Sequence, residues 1–113
     1  MMYICITKHG FIYDVFKSLP SGAIDVGDGF YMDYNNNIYI SVLDGQIWGS
    51  GSSINQVGNT KIYKNYDNSV NQIGNYKVYK ESKGIYQIGS ARIYRNDSGN
   101  AYQFVTTSKS TRF

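Results

Sequence analysis

Alternating apolar and polar positions recur at short, regular intervals in the second half of the chain. Residues 54–64, 70–80 and 85–95 align at steps of sixteen and fifteen residues, with Gln, Gly, a basic residue and Tyr in register. The alternation has the period of two that is typical of a β-strand. A repeat of this length has room for two short strands and two turns, so the pattern predicts a series of small hairpins.

A two-residue turn signal lies at the centre of each unit, at Gly58-Asn59, Gly74-Asn75 and Gly89-Ser90. Glycine supplies the positive φ that a type II′ turn requires at its first central position. Such a turn determines the pairing register, placing Val57 opposite Thr60 and Gln56 opposite Lys61. We therefore predict an all-β fold, an antiparallel meander of hairpin repeats of 15–16 residues that forms a curled sheet, a sandwich or a barrel-like structure. A solenoid with one repeat per coil is the alternative.

The length of 113 residues predicts one domain spanning residues 1–113. Regular repeats occupy residues 54–105, where a half-repeat at 101–104 ends the array. Weaker copies of the pattern in residues 1–53 suggest degenerate N-terminal units of the same array, and residues 106–113 are expected to be a C-terminal tail.

Strand alternation gives the predicted hairpins two different faces. The first face is aliphatic and must be covered by the N-terminal half, by curling of the sheet or by a second copy of the chain. Its members are Val57, Ile73, Ile88, Ile62, Val78 and Ile93. The second face is mixed, with Ile54, Val70 and Ile85 beside polar and aromatic side chains. The polar and aromatic members are the candidate binding residues: Gln56, Gln72, Gln87, Lys61, Lys77, Arg92, Tyr63, Tyr79 and Tyr94.

Catalytic chemistry is not indicated by the residues of the chain. Cys5 is the only cysteine and lies in an apolar run, which is typical of a buried small hydrophobe. His9 is the only histidine and lies in a predicted turn, and a Cys–His pair here would lack a third, orienting group. One His and one Cys also exclude a zinc site of the usual kind. We predict a protein that is not an enzyme and has no cofactor and no metal.

Charge is unevenly distributed along the chain. Residues 1–57 carry two basic and five acidic residues, whereas residues 58–113 carry nine basic and three acidic ones. This asymmetry fits either a face for an acidic partner or ordinary solvated strands. No apolar stretch has the length of a signal or a membrane span, so a cytoplasmic protein with no membrane association is expected.

The run Gln-Ile-Gly-Asn followed four residues later by Tyr resembles the short Ile-Gly-Asn…Tyr β repeats of about sixteen residues in uncharacterised bacterial proteins. The resemblance covers residues 54–105 well and residues 23–53 poorly. It implies a repetitive β structure and nothing about activity.

Three functional hypotheses remain open at the level of the sequence. The first is a protein-binding module, such as a small inhibitor of a larger complex, because Tyr and Arg are enriched among the residues that dominate interfaces. The second is nucleic-acid binding through the Lys/Arg and Tyr rows of residues 61–95. The third is a structural or self-assembling protein that pairs through its sheet edges. A homodimer that forms through the aliphatic face or the sheet edges is also left open.

Overall fold

A computed structural model describes all residues 1–113, and it contains fourteen strands in two antiparallel sheets. The first, which we call the N-terminal sheet, has the order β2-β1-β5-β4-β3. Its strands are β1 Met2–Ile6, β2 Ile12–Phe16, β3 Ile24–Gly27, β4 Phe30–Met32 and β5 Ile38–Val42.

The second sheet, which we call the repeat sheet, contains nine strands in sequential order from β14 to β6. They are β6 Ile47–Trp48, β7 Gln56–Val57, β8 Thr60–Lys64, β9 Val70–Ile73, β10 Tyr76–Glu81, β11 Gly84–Ile88, β12 Ala91–Arg95, β13 Ala101–Val105 and β14 Ser110–Arg112. A short 3-10 helix, Gly51–Ser53, packs beside β2. The prediction of an all-β antiparallel meander is confirmed. Neither sheet closes into a barrel, and the two sheets together form an open, sandwich-like arrangement.

The hairpin register in the repeat sheet is also the predicted one. Gln56 pairs with Lys61 and Val57 with Thr60 across the first turn. The three turn glycines have φ values of +54° to +57°, a region that side chains with a Cβ rarely adopt. Each long strand is then shared between two neighbours: the start of β8 pairs with β7, and its end, Ile62–Lys64, pairs with β9. Strands β10 and β12 are shared in the same way, so successive hairpins are stepped along the sheet.

One hydrophobic core lies between the two sheets. It is a single cluster of 21 buried residues drawn from both halves of the chain, and it includes the whole predicted aliphatic face. Phe30 of the N-terminal sheet and Phe104 of the repeat sheet have ring centroids 6.1 Å apart within it. The N-terminal sheet of the same chain is therefore the cover of the aliphatic face.

The N-terminal residues do not extend the meander as further hairpin units. Of the predicted upstream copies, only the segment at β6 joins the repeat sheet, where Ile47 pairs with Val57. The others belong to the N-terminal sheet, in which β1 pairs with the distant β5. The expected C-terminal tail contains β14, which pairs with β13 as the last strand of the repeat sheet.

The prediction that Ile54, Val70 and Ile85 lie on the mixed outer face is wrong. All three are buried in the core. The reason for the last two is a β-bulge in each repeat. Tyr63 pairs with Gln72 while Lys64 pairs with Val70, which leaves one unpaired residue between and moves Val70 to the core side. The same shift in β11 turns Ile85 inward. Ile54 precedes β7, outside the paired residues of the first hairpin.

Each bulge displaces a backbone N–H from its ladder position, and the N-terminal half supplies the acceptor. Val70 N–H donates to the carbonyl oxygen of Gly10 at 2.7 Å, and Ile85 N–H to that of Lys8 at 2.9 Å. A third bulge lies in the pairing of β12 with β13, and at its equivalent position Ala101 N–H donates to Oδ1 of Asn36 at 2.8 Å. Because unpaired buried amides are costly, these three bonds add to the apolar contacts that join the two halves of the chain.

Candidate binding face

The nine residues predicted as a binding site lie on the side of the repeat sheet away from the core. Strand pairing arranges them so that an aromatic residue, a glutamine and a cation lie opposite one another on three successive strands. This triplet occurs four times: Trp48–Gln56–Lys61, Tyr63–Gln72–Lys77, Tyr79–Gln87–Arg92 and Tyr94–Gln103–Arg112. We call these twelve residues the outer face. Three of them, Trp48, Gln103 and Arg112, were not among the residues that the repeat predicted.

Successive triplets are stepped across the sheet in the same way as the hairpins. Tyr63 lies two residues beyond Lys61 on β8, and it begins the next triplet. Two strands across and two residues along give a step of about 12 Å between successive cations. This exceeds the screening length of about 8 Å at physiological ionic strength. Repulsion between the cations is therefore weak, and the row is stable without acidic neighbours.

The four cations of the outer face have no acidic partner. The ion pairs of the molecule join other residues: Met1–Asp44, Lys80–Asp67, Lys83–Asp97 and Lys109–Asp25. Glu81 is the single acidic residue within the strands of the repeat sheet, and it lies at the end of β10. The outer face thus presents four exposed, uncompensated positive charges.

Exposed aromatic rings lie between these charges. The four aromatic members of the triplets remain between 40 and 49 % exposed, although each is large enough to contribute to a core. Tyr79 and Tyr94 each rest against a neighbouring tyrosine, with centroids 6.2 and 6.4 Å apart. The Arg92 guanidinium lies 5.9 Å from the ring centroid of Tyr86. These contacts restrain the rings while leaving part of each accessible to a partner.

The glutamines have a structural contact that the sequence did not reveal. In each repeat the side-chain Nε2 donates to the carbonyl oxygen of the turn glycine two residues later, at 2.7–2.8 Å. Gln103, whose hairpin turn lacks glycine, donates instead to Oγ of Ser110. Gln56, Gln72 and Gln87 therefore stabilise the turns that set the register, and the cations and aromatic rings are the residues of the outer face that are free to bind.

Replacing Gln72 by Ala is expected to lower the free energy of unfolding by about 1 kcal/mol, because the turn carbonyl of Gly74 loses its side-chain donor. Urea denaturation followed by circular dichroism measures the change. Gln103→Ala is the matched control, since the Gln103 side-chain amide does not bond to a turn carbonyl. This variant should lower the free energy of unfolding by less than about 0.5 kcal/mol. Equal losses in the two variants would contradict the turn-stabilising contact.

The candidate catalytic residues are not arranged as a reactive pair. Cys5 is fully buried, and burial raises the pKa of its thiol to about 12, so the thiolate is essentially absent at neutral pH. His9 is exposed in the connection between β1 and β2. No three His, Cys, Asp or Glu side chains are grouped closely enough to hold a metal ion.

Comparisons with protein-family models, with curated proteins and with solved structures found no significant match. The structure contains no helix with the length and apolar character needed to cross a membrane.

Proposed function

We propose that this protein is a non-enzymatic binding module whose outer face binds an acidic surface of another protein. The single observation that carries the proposal is the set of four unpaired cations, Lys61, Lys77, Arg92 and Arg112, in strand-to-strand register with exposed aromatic residues.

The residue types of the outer face favour a protein partner. Trp, Tyr and Arg are the residues that most often dominate the binding energy of interfaces, and here they alternate on a regular sheet. The restrained rings of Tyr79 and Tyr94 lose little side-chain entropy on binding, which lowers the cost of association. The four positive charges accelerate encounter with an acidic surface and select against basic ones.

Inhibition of a larger assembly is part of the proposal, because a small domain can act by covering an acidic surface that the assembly needs. We also infer a cytoplasmic setting, since the one cysteine, Cys5, is a buried free thiol with no disulfide partner.

The test uses the immobilised protein to isolate a partner from the native host, followed by titration of the purified partner. Lys77→Glu and Arg92→Glu should each weaken binding about tenfold, since each replaces an attraction by a repulsion. Isothermal titration at two salt concentrations measures the effect, and unchanged thermal unfolding shows that the variants are folded.

Lys17→Glu is the matched control, because it makes the same charge change at an exposed residue outside the outer face. It should leave the affinity within about twofold of the wild-type value. If Lys17→Glu weakens binding as much as Lys77→Glu does, net charge rather than the outer face is responsible. If none of the variants weakens it, the partner binds elsewhere.

A second candidate is the binding of single-stranded nucleic acid, and one observation favours it. Lys61, Lys77 and Arg92 are each followed, two residues along the same strand, by an exposed tyrosine. One ring and one cation per step could stack a base and contact a phosphate. Fluorescence anisotropy with a labelled oligonucleotide would then show a slope of log affinity against log salt of about −3 if all four cations contact phosphates.

A further inference from the structure

Four connections between strands share one backbone conformation. In each five-residue loop the first N–H donates to the last carbonyl oxygen, at 2.7–3.1 Å, and the fourth residue has a φ of +67° to +90°. This is the pattern of a type I turn followed by a left-handed residue. Their internal hydrogen bonds make these loops rigid. The four loops are 7–11, 33–37, 65–69 and 96–100.

These loops come together at one end of the sandwich, although they are distant in the sequence. The hydrogen bonds that the backbone N–H groups of Val70 and Ile85 donate to loop 7–11, and that of Ala101 to Asn36, bring the loops of both sheets to the same end. The turn Ser82-Lys83 lies among them, because Lys83 Nζ is 3.2 Å from Asp97. We call loops 7–11, 33–37, 65–69, 82–83 and 96–100 the loop end.

The composition of the loop end is that of a recognition surface. Fourteen of its 22 residues are Asn, Ser, Gly or Tyr, the types that also predominate in antibody binding loops. Tyr66 is fully exposed and Tyr34 is 88 % exposed, so neither ring contributes to the core. Rigid loops that carry exposed tyrosines on a packed scaffold are a common basis of protein recognition.

A cleft of about 380 Å³ lies within the loop end, and no apolar side chain lines it. Its walls are formed by Lys8, His9, Ser82, Ser98 and the Lys83–Asp97 ion pair. The side chains of Lys8, His9, Ser82 and Ser98 make no hydrogen bond within the protein, so their donors are free to point to a ligand. Because Asp97 offsets the charge of Lys83, the uncompensated ammonium group is that of Lys8, and its position beside free donors suits an anionic oxygen ligand.

We propose that the loop end is a second binding surface, in which the cleft at Lys8 receives a carboxylate carried by a protruding loop of a partner protein. The carboxylate accepts hydrogen bonds from Lys8 and from the neighbouring hydroxyl groups. This surface is separate from the outer face, so it does not depend on the function proposed for that face. A protein with two such surfaces can bridge two partners or contact one partner at two places.

The experiment is a titration of ¹⁵N-labelled protein with the capped peptide acetyl-Gly-Asp-Gly-Glu-Gly-amide, followed by NMR. The backbone amides of Lys8, Lys83 and Ser98 should shift and saturate at millimolar peptide. A matched peptide with Asn and Gln in place of the acids should bind at least fivefold more weakly. Lys8→Gln should weaken binding of the acidic peptide about fivefold, because the substitution removes one charge-assisted donor.

A control variant separates the loop end from the rest of the surface. Lys17→Gln should leave the peptide shifts of the loop end unchanged, since Lys17 does not border the cleft. The proposal is overturned if the shifts appear only at the amides of the outer face, if the neutral peptide binds the cleft equally well, or if neither peptide shifts the amides of the cleft. It is also overturned if inorganic phosphate saturates the cleft while the acidic peptide does not, since the cleft would then take free phosphate.

Discussion

Ile85→Lys is expected to unfold the protein largely or completely. Strict alternation along β11 would place this residue on the solvent side, but the bulge turns it into the core, where its side chain is fully buried. An unpaired ammonium group in that position costs more than about 4 kcal/mol, a large part of the stability of a small domain. Far-ultraviolet circular dichroism and urea denaturation will show a lost or greatly lowered transition.

Tyr79→Lys is the matched substitution on the neighbouring strand. Tyr79 lies on the outer face and is 40 % exposed, so a lysine can extend into solvent there at a cost of about 1 kcal/mol or less. The contrast between the two variants measures the effect of the bulge directly. If Ile85→Lys folds as stably as Tyr79→Lys, the bulge is absent and simple alternation describes the strand.

Asn36→Ala is expected to lower the free energy of unfolding by about 3–4 kcal/mol, because it removes two partly buried hydrogen bonds and introduces backbone strain. Oδ1 of Asn36 accepts from Arg95 Nη1 at 2.9 Å and from the backbone N–H of Ala101 at 2.8 Å. Asn36 also has a φ of +67°, which asparagine tolerates and alanine does not. Urea denaturation with a constant m-value measures the loss.

Asn36→Asp is the control that retains the acceptor and tolerates the same backbone conformation. Burial lowers the pKa of Arg95 to about 10, and the guanidinium is still charged at neutral pH. The second oxygen of an aspartate would replace Nδ2, whose contact with the Tyr34 carbonyl oxygen is weak at 3.5 Å, and the added negative charge would pair with the Arg95 guanidinium, whose Nη2 is buried without a hydrogen-bond partner. We expect Asn36→Asp to cost less than about 1 kcal/mol. A loss equal to that of Asn36→Ala would show that these contacts do not stabilise the fold.

The sequence predicts the hairpins well because their signals are local. The turn glycines, the register of Gln56 with Lys61, and the strand-to-strand alignment of the candidate residues all follow from residues close together in the chain. The bulges were missed because every repeat has the same extra residue, so that aligning the repeats cannot reveal it. A signal was nevertheless present: Val70 and Ile85 are apolar at positions that alternation assigns to a polar face.

The parts that could not be predicted depend on distant pairing. Nothing in the repeat indicates that β1 pairs with β5, which is why the N-terminal residues were interpreted as further hairpin units. The binding face was predicted only in part, for a different reason. Trp48 and Arg112 lie outside the regular repeats, at the first and last strands of the repeat sheet, where the turn signals are weak. The loop end combines five separate segments, and only the folded chain brings them together.

The three displaced amides have a consequence for the size of the molecule. A hairpin array can in principle be lengthened by adding units, since each unit bonds mainly to its neighbours. Here, however, every bulged unit needs one acceptor from outside the array, and the N-terminal half offers one each at Gly10, Lys8 and Asn36. The loops of the N-terminal half therefore provide one acceptor for each bulged unit, and a duplicated unit would have to find another acceptor for its displaced N–H.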